Sequence, residues 1–466
     1  MKHIRAILGS LLVLPAASLA ACAISRANGD LAPDPILAQR VDALVAPLVA
    51  AHEFSGAIVL MRRGQTVYRR GFGMANHAAG VAFTPDTPSD GGSVAKTFTA
   101  AGVWWLAQER RIELDAPVTR YVPEYPDAQT TVRHLIAHST GLSPDYGVFF
   151  DPFFAKDEVR TTTALLRVVA EHASNPSFLP GSRFEYSNLG FDVAALVIER
   201  VTGQSYEAFV KDRFFGPLGM KSSLARPARL ADWPGVRTMG YRRHDGAWTE
   251  YDVFDMEAFL GASNLYFSAA DLARWGSANA MGTALPAAVV DAGQKRVAIG
   301  GGHSGITGLS WYCDDARDHC HYPGVLNAFY SVVYWDRARE ESVAFVSNST
   351  LPPWKTIGLQ RALVGALEAR PPEADTTTAF ERFDRATRSA VAGSYRTQEL
   401  GVIMIGAGSD GLLFRVGAGL DYGMFPVSKD VLYVPGLDYW VAFSGGHPPP
   451  AIHIKSMAHN VVGRRT

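Results

Sequence analysis

Ser93 and Lys96 stand three residues apart at the start of a segment that is rich in alanine and free of proline. This composition predicts a buried helix. Residues three apart are neighbours on a helix, so the Lys96 amine can lie beside the Ser93 hydroxyl. Serine needs an adjacent base to act as a nucleophile, and a lysine amine removed from water can be that base. Unpaired N–H groups of the first helical turn are available to an oxyanion.

A second polar pair, Tyr186 and Asn188, follows the turn-forming dipeptide Pro180-Gly181. Two side chains at this spacing on an irregular turn can face the same cleft. The Tyr186 phenol can relay a proton between Ser93, Lys96 and a leaving group, and the Asn188 amide can orient a substrate carbonyl.

These residues need a scaffold, and the pattern of the chain predicts an α+β domain in which one sheet is assembled from distant segments. A hairpin that turns at Gly64 is expected near the N-terminal end. Helices dominate between residues 131 and 219. Strand-like runs return at 308–313, 328–334 and 342–347, and helices are expected at 36–52 and 355–369.

Composition limits the classes of function. A chain of 466 residues fits a large catalytic domain with a smaller second one. The hydrophobic content of 47% excludes wholesale disorder. Because the formal net charge is -1, nothing indicates binding of nucleic acid or recruitment to a membrane by charge.

The C-terminal part has a different character. Residues 371–385 begin with Pro371-Pro372 and predict a linker between a catalytic domain at 36–370 and a separate domain at 386–466. Short alternating strands with glycine turns predict a small β-barrel or sandwich for that second domain.

The N-terminus predicts export. Lys2 and Arg5 precede a short apolar core, so residues 1–22 are typical of a signal peptide. The core ends at Leu19-Ala20-Ala21-Cys22, which resembles a bacterial lipoprotein box and implies lipidation of Cys22. Residues 23–35 then form a tether. We expect a periplasmic lipoprotein of the bacterial cell envelope that contacts the membrane through its lipid anchor only.

The two remaining cysteines are Cys313 and Cys320, which flank a polar segment between two strand-like runs. A hairpin would bring them close enough for a disulfide in an oxidising compartment, and the alternative is two free thiols that never meet. A metal site is disfavoured there because no C-x-x-C motif occurs. His134 and His138 have the spacing of zinc ligands on a helix, but no glutamate lies between them, so metal is disfavoured at that pair as well.

Together these segments resemble the serine β-lactamase and penicillin-binding-protein superfamily, in its branch of class C β-lactamases, D,D-peptidases and family VIII esterases. The segment from Ser93 to Thr99 is similar to the nucleophile helix of that family. Residues 131–142, with the sequence TVRHLIAHSTGL, match another typical stretch, and Tyr186-Ser187-Asn188 matches the Y-x-N segment. The resemblance covers roughly residues 36–365.

The resemblance implies a β-lactamase/transpeptidase-like fold, an antiparallel sheet with flanking helices and a helical subdomain. It also implies that Ser93 is acylated, that Lys96 and Tyr186 share general-base and general-acid duty, and that Asn188 binds a substrate carbonyl. No metal or organic cofactor is expected. The implied substrate is a small molecule or a peptide with an ester or amide bond, as in an esterase, a D-aminopeptidase or a D,D-peptidase.

The third motif departs from the K-T-G or H-x-G of the family. Counting back from Ala328-Phe329 places Tyr322-Pro323-Gly324 at this position, and His321 and His303 are the alternatives. Gly324 would allow a close backbone approach, and the N–H of Val325 would be the second oxyanion donor beside that of Ser93.

A cation at the first position of this motif would attract a substrate carboxylate, whereas a tyrosine can only form a hydrogen bond. The sequence therefore predicts poor turnover of β-lactams. Two other functions stay open, namely a penicillin-binding cell-wall protein with little turnover and a non-catalytic surface lipoprotein.

Overall fold

The computed structural model describes residues 34–142, 158–172, 178–244, 247–252, 259–299, 302–313, 318–349, 353–370, 385–398, 400–407, 412–417, 422–428, 430–434, 439–444, 446, 448–455 and 460–466. The predicted signal peptide with Cys22, most of the tether and nearly all of the linker lie outside these residues. Among the helices described, none is both long and apolar enough to cross a membrane.

The elements of the larger domain follow in chain order. The first group contains α1 (Pro35–Ala50), β1 (Gly56–Arg62), β2 (Gln65–Phe72), β3 (Met74–Asn76), β4 (Val81–Ala82), β5 (Ser89–Asp90), α2 (Ala95–Gln108) and α3 (Val132–Ile136). The second contains α4 (Thr162–His172), α5 (Asn188–Thr202), α6 (Tyr206–Val210), β6 (Leu224–Ala225), β7 (Tyr241–His244), β8 (Ala247–Glu250) and β9 (Leu265–Phe267). The third contains α7 (Ala269–Ala280), α8 (Ala287–Gly293), β10 (Arg296–Ile299), β11 (Gly302–Thr307), β12 (Tyr312–Cys313), β13 (His319–Leu326), β14 (Phe329–Asp336), β15 (Glu341–Ser347) and α9 (Pro353–Leu367).

The central sheet has six antiparallel strands in the order β12-β13-β14-β15-β1-β2. Strand β1 therefore pairs on one side with its neighbour β2 and on the other with the distant β15, where Gly56 lies opposite Ser347. This confirms the prediction that distant segments form one sheet.

Both faces of the sheet are covered, so its central strands are apolar on both sides. Ile58 and Leu60 of β1 pack with α1 and α9 on one face. Ala57 and Val59 pack on the other face in the large core that includes α2, α5 and α7. Successive residues of β1 therefore contribute to two different cores, as the two-residue period of a strand requires.

The second domain begins with α10 (Arg385–Val391), whose first residue falls in the segment that we assigned to the linker. Its strands are β16 (Gly393–Arg396), β17 (Val402–Ala407), β18 (Leu412–Val416), β19 (Tyr422–Ser428), β20 (Val431–Val434), β21 (Tyr439–Ser444), β22 (Ala451–Lys455) and β23 (Asn460–Arg465). They form a closed barrel, because β23 pairs with β16 through Tyr395 and Arg465. The predicted fold class, an α+β domain with a small C-terminal β-barrel-like domain, is confirmed.

Candidate active site

Ser93 lies in a short 3₁₀ turn, Gly92–Val94, that leads directly into α2. The sequence predicted a helix from Ser93, whereas the α-helix begins at Ala95, in keeping with the frequent 3₁₀ turns at helix ends. Gly92 has φ +48°, a conformation that favours glycine. The turn leaves Ser93 half-buried at the head of a helix that is itself almost completely buried.

Lys96 is fully buried in the first turn of α2. Its Nζ donates to Ser93 Oγ at 3.1 Å and to the Ala262 carbonyl oxygen at 2.8 Å. The Ala262 peptide is held in turn, because its N–H donates to the buried Asp192 carboxylate at 2.9 Å. These two oxygen acceptors, the Ala262 carbonyl and the Ser93 hydroxyl, hold the Lys96 amine in position.

Tyr186 approaches Ser93 from the loop that precedes α5. Its hydroxyl donates to Ser93 Oγ at 2.7 Å across 93 residues of chain. Ser187 caps α5 by accepting a hydrogen bond from Gly190 N–H at 3.2 Å. Asn188 is the first residue of that helix and is half-buried. Among the described residues its side-chain amide has no hydrogen-bond partner, so the amide is available to a substrate.

Strand β13 runs past the serine turn on the other side. A Cβ added to Gly324 would lie 1.9 Å from the Gly91 carbonyl oxygen, and one added to Gly92 would lie 2.6 Å from the Val325 nitrogen. Only glycines permit this approach of two backbones. Ser331 on β14 strengthens it by donating to the Gly91 carbonyl at 2.6 Å. The Val325 amide thus lies against the turn that carries Ser93, and the Val325 side chain is 55% exposed.

Of the candidates for the third motif, Tyr322 is the one that lies near Tyr186. Its ring is buried, and burial together with the nearby Tyr186 and Tyr312 hydroxyls holds the pKa of Tyr322 well above its usual range. The phenol is therefore neutral at physiological pH, and it can donate a hydrogen bond but carries no charge.

The two histidine alternatives lie elsewhere. His321 stacks on Tyr312 at 5.9 Å between ring centres, and burial lowers the pKa of His321 to about 4. His303 lies in β11, which pairs with β10 in a separate two-stranded sheet, and its side chain is outside the described set. The structure thus brings Ser93, Lys96, Tyr186 and Tyr322 together, whereas His321 stacks on Tyr312.

Cys313 and Cys320 are joined by a disulfide and stand opposite each other in β12 and β13. Both are buried, and the Gln294 side-chain amide donates to their sulfur atoms at 3.5 and 3.4 Å. The bridge anchors β13 two residues before Tyr322.

Histidines 134 and 138 do not form a pair of ligands. His134 Nδ1 accepts the Thr131 N–H at 3.2 Å as part of a helix cap. His138 lies beyond the end of α3 and stacks on Tyr186 with ring centres 4.3 Å apart. We did not predict a role for His138 beside Tyr186, nor one for the Ala262 carbonyl, which has no signature in the sequence. The only signal for His138 was its position inside the stretch 131–142 that resembles the family.

A serine turn against a glycine-bearing strand, with lysine and tyrosine on the serine, is the arrangement that the resemblance to serine hydrolases and penicillin-binding proteins implied. The family model described as "Beta-lactamase" matches residues 41–366. This chain therefore belongs to the beta-lactamase family, as its resemblance to the superfamily implied.

The relatives of this chain include both a penicillin-binding protein and an esterase. The chain is 21% identical over 424 residues to penicillin-binding protein 4* of Bacillus subtilis (strain 168), covering 88% of this chain and 94% of that protein. It is 34% identical over 212 residues to the esterase EstB of Burkholderia gladioli, covering 42% of this chain and 54% of that protein. The octameric penicillin-binding protein homologue from Pyrococcus abyssi superposes with a TM-score of 0.62 at 21% identity, covering 91% of this chain and 99% of that one. The structural likeness shows that the fold is shared.

Proposed function

We propose that this protein is a serine hydrolase that cleaves an ester or amide bond through an acyl-enzyme formed on Ser93. The observation that carries the proposal is the convergence of two proton-transferring groups on one hydroxyl. The Lys96 amine and the Tyr186 hydroxyl contact Ser93 Oγ at 3.1 and 2.7 Å. A serine becomes nucleophilic when such a group takes its proton.

Acylation requires that the Lys96–Tyr186 pair has first released one proton to solvent. Ser93 Oγ then attacks the substrate carbonyl carbon, and the serine proton passes to the pair. The carbonyl oxygen becomes an oxyanion, and the N–H groups of Ser93 and Val325 stabilise it by hydrogen bonding. The tetrahedral intermediate collapses, the bond to the leaving group breaks, and the pair returns the proton so that an alcohol or amine departs. Asn188 orients the carbonyl during these steps.

Deacylation repeats the chemistry with water. The pair takes a proton from water as the water oxygen attacks the acyl carbon, and it protonates Ser93 Oγ as the bond to serine breaks. The products are a carboxylic acid and the free enzyme. Neither step needs a metal or an organic cofactor.

The substrate is expected to lack a carboxylate that must be held beside the scissile bond, because Tyr322 supplies a neutral phenol at the position where relatives with K-T-G supply a cation. An ester or a modified peptide amide meets this condition better than a β-lactam. The named relatives include both an esterase and a penicillin-binding protein, so the two substrate classes are the ones to compare.

The catalytic assignment is tested by covalent labelling. Wild-type protein should react with a fluorescent phosphonate ester, and the Ser93→Ala variant should not. Ser139→Ala is the matched control, since Ser139 is buried and its hydroxyl donates to the His134 carbonyl oxygen. Labelling that persists in Ser93→Ala would overturn the assignment.

Substrate class is tested with p-nitrophenyl esters, nitrocefin and D-Ala-D-Ala peptides. Esters are expected to be turned over best. A kcat/KM for nitrocefin of about 10⁴ M⁻¹s⁻¹ or more would contradict the argument from Tyr322. A burst of acylation followed by negligible turnover would instead favour a penicillin-binding protein.

We also propose that Cys22 anchors the protein in the bacterial envelope. The full chain should sediment with membranes and the Cys22→Ala variant should not. Equal distribution of the two would contradict a lipid anchor.

A further inference from the structure

His138 contacts three consecutive residues of the loop that carries Tyr186. Its carbonyl oxygen accepts the Glu185 N–H at 2.7 Å. Its ring lies over the Tyr186 ring with centres 4.3 Å apart and planes 20° apart. Its Nδ1 accepts the Ser187 N–H at 2.9 Å. One residue therefore binds the backbone before and after Tyr186 and packs on the ring between them.

His138 makes these contacts from an unusual backbone conformation. Its φ of +52° is in the left-handed region, which a residue with a side chain seldom adopts. The side chain is fully buried, and the Phe191 ring of α5 packs on it as well, with centres 4.7 Å apart. The imidazole is thus fixed between the tyrosine loop and the helix that follows.

The imidazole is neutral. Nδ1 accepts a hydrogen bond, so it carries no proton, and burial with the nearby Lys96 cation holds the pKa of His138 well below its usual range. Nε2 has no hydrogen-bond partner among the described residues. The ring therefore adds no second charge beside Lys96, and neither nitrogen contacts Ser93 in the described structure.

Tyr186 needs such support because a short irregular loop carries it. The hydroxyl must stay 2.7 Å from Ser93 Oγ for proton transfer. A displacement of about 1 Å of a reacting group can cost about 100-fold in rate. A planar ring against the phenol and two backbone hydrogen bonds around it remove this freedom.

We propose that His138 is a positioning residue that holds the Tyr186 phenol against Ser93 and takes no part in proton transfer itself. This inference rests on the proposed hydrolase function. It predicts that loss of His138 acts through Tyr186, so the two residues form one unit and their effects do not add.

The test uses two variants that separate the contacts. His138→Phe keeps a ring over Tyr186 and loses the acceptor for Ser187, whereas His138→Asn keeps an acceptor and loses the ring. His134→Asn is the matched control, because His134 also accepts a backbone N–H in this region but is not stacked on Tyr186. Each is compared by kcat and KM for the best ester and by Tm.

We expect both His138 variants to lower kcat by 10- to 100-fold with KM changed by less than threefold. His134→Asn should lower Tm and keep kcat. In the background of Tyr186→Phe, His138→Phe should cause no further loss of kcat. Additive losses, or a fall in Tm with kcat unchanged, would overturn the proposal, since a purely structural role predicts those outcomes.

A crystal structure of His138→Asn gives a measurement that does not depend on turnover. The Tyr186 hydroxyl should move out of hydrogen-bond distance of Ser93 Oγ. A hydroxyl that stays within 3 Å refutes positioning even if the wild type proves to be active. Conversely, inactive wild-type protein with a displaced hydroxyl in the variant would reject the hydrolase function and keep the positioning.

Discussion

The Nζ of Lys96 lies 4.9 Å from the centre of the Tyr186 ring, while both residues also contact Ser93 Oγ. A cation near an aromatic face is attracted to it, so the two proton-transferring groups also stabilise each other's position. The arrangement joins the first turn of one helix to a loop 90 residues later in the chain. Each group should therefore matter to the chemistry at Ser93 and little to the fold.

Tyr186→Phe is expected to lower kcat by about 10² to 10⁴, because it removes a proton-transferring hydroxyl and keeps the ring that packs on His138 and Lys96. Steady-state kinetics with an ester measure this loss. Tyr395→Phe is the control, since it removes a buried hydroxyl that donates to the Val391 carbonyl at 2.8 Å in the barrel. A loss of less than threefold in Tyr186→Phe would mean that the phenol transfers no proton.

Gly324→Ala should lower kcat/KM by at least about 100-fold, because the new Cβ would lie 1.9 Å from the Gly91 carbonyl oxygen and must push β13 away from the serine turn. Thermal unfolding should show a lower Tm as well. Gly406→Ala in β17 is the matched change, since its nearest atom would be 4.0 Å away. Full activity of Gly324→Ala would show that this close approach does not matter to the reaction.

Replacing both Cys313 and Cys320 by serine should reduce the free energy of unfolding by about 2 to 3 kcal/mol, the loop-entropy value for so short a bridge. The cysteines are seven positions apart in the sequence. Urea unfolding with and without reductant measures the change, and reductant should affect the wild type only. Equal midpoints for wild type and variant would show that hydrogen bonding in β12 and β13 suffices without the bridge.

Stability should fall as the pH drops from about 6.5 toward 4. The half-buried His321 lies across from Tyr312 and Tyr334 in the sheet, and its loss of solvent lowers its pKa from 6.5 to about 4. Between these values the unfolded chain binds a proton that the folded protein does not, so acid favours unfolding in this window. The stabilisation is complete above pH 6.5 and is lost as the pH falls to about 4.

Chemical denaturation at several pH values tests this prediction. His321→Gln should flatten the dependence between pH 6.5 and 4. A residual slope is expected from His134 and His138, whose pKa values are also lowered by burial. An unchanged slope in the variant would show that His321 does not carry the effect.

The local features of this protein could be predicted from its sequence, because they depend on neighbours in the chain. Ser93 and Lys96 contact each other since residues three apart share a helical face. Cys313 and Cys320 oppose each other since a short hairpin joins them. Short alternating strands with glycine turns indicated a small β-barrel or sandwich, and the fold class followed from the order of strands and helices together with the resemblance to the superfamily.

The third motif shows where this reasoning stops. Tyr322 and His321 both remained candidates, because a strand alternates its faces and a shift of one residue exchanges them. His303 remained one because it begins a literal H-x-G sequence. Only the pairing of β13 with β12 and β14 decides which side chain meets Tyr186. The Ala262 carbonyl contacts Lys96 across 166 residues, and a backbone carbonyl leaves no mark in a sequence.

The contact between His138 and Tyr186 could not be predicted from the sequence either. His138 has a spacing from His134 that is typical of a metal pair, and its neighbours in the chain do not contain Tyr186. The sequence by itself determined which groups are chemically capable of acting on Ser93. The tertiary structure decided which of them reach it and what holds them there, because contacts between distant segments depend on strand register and helix packing.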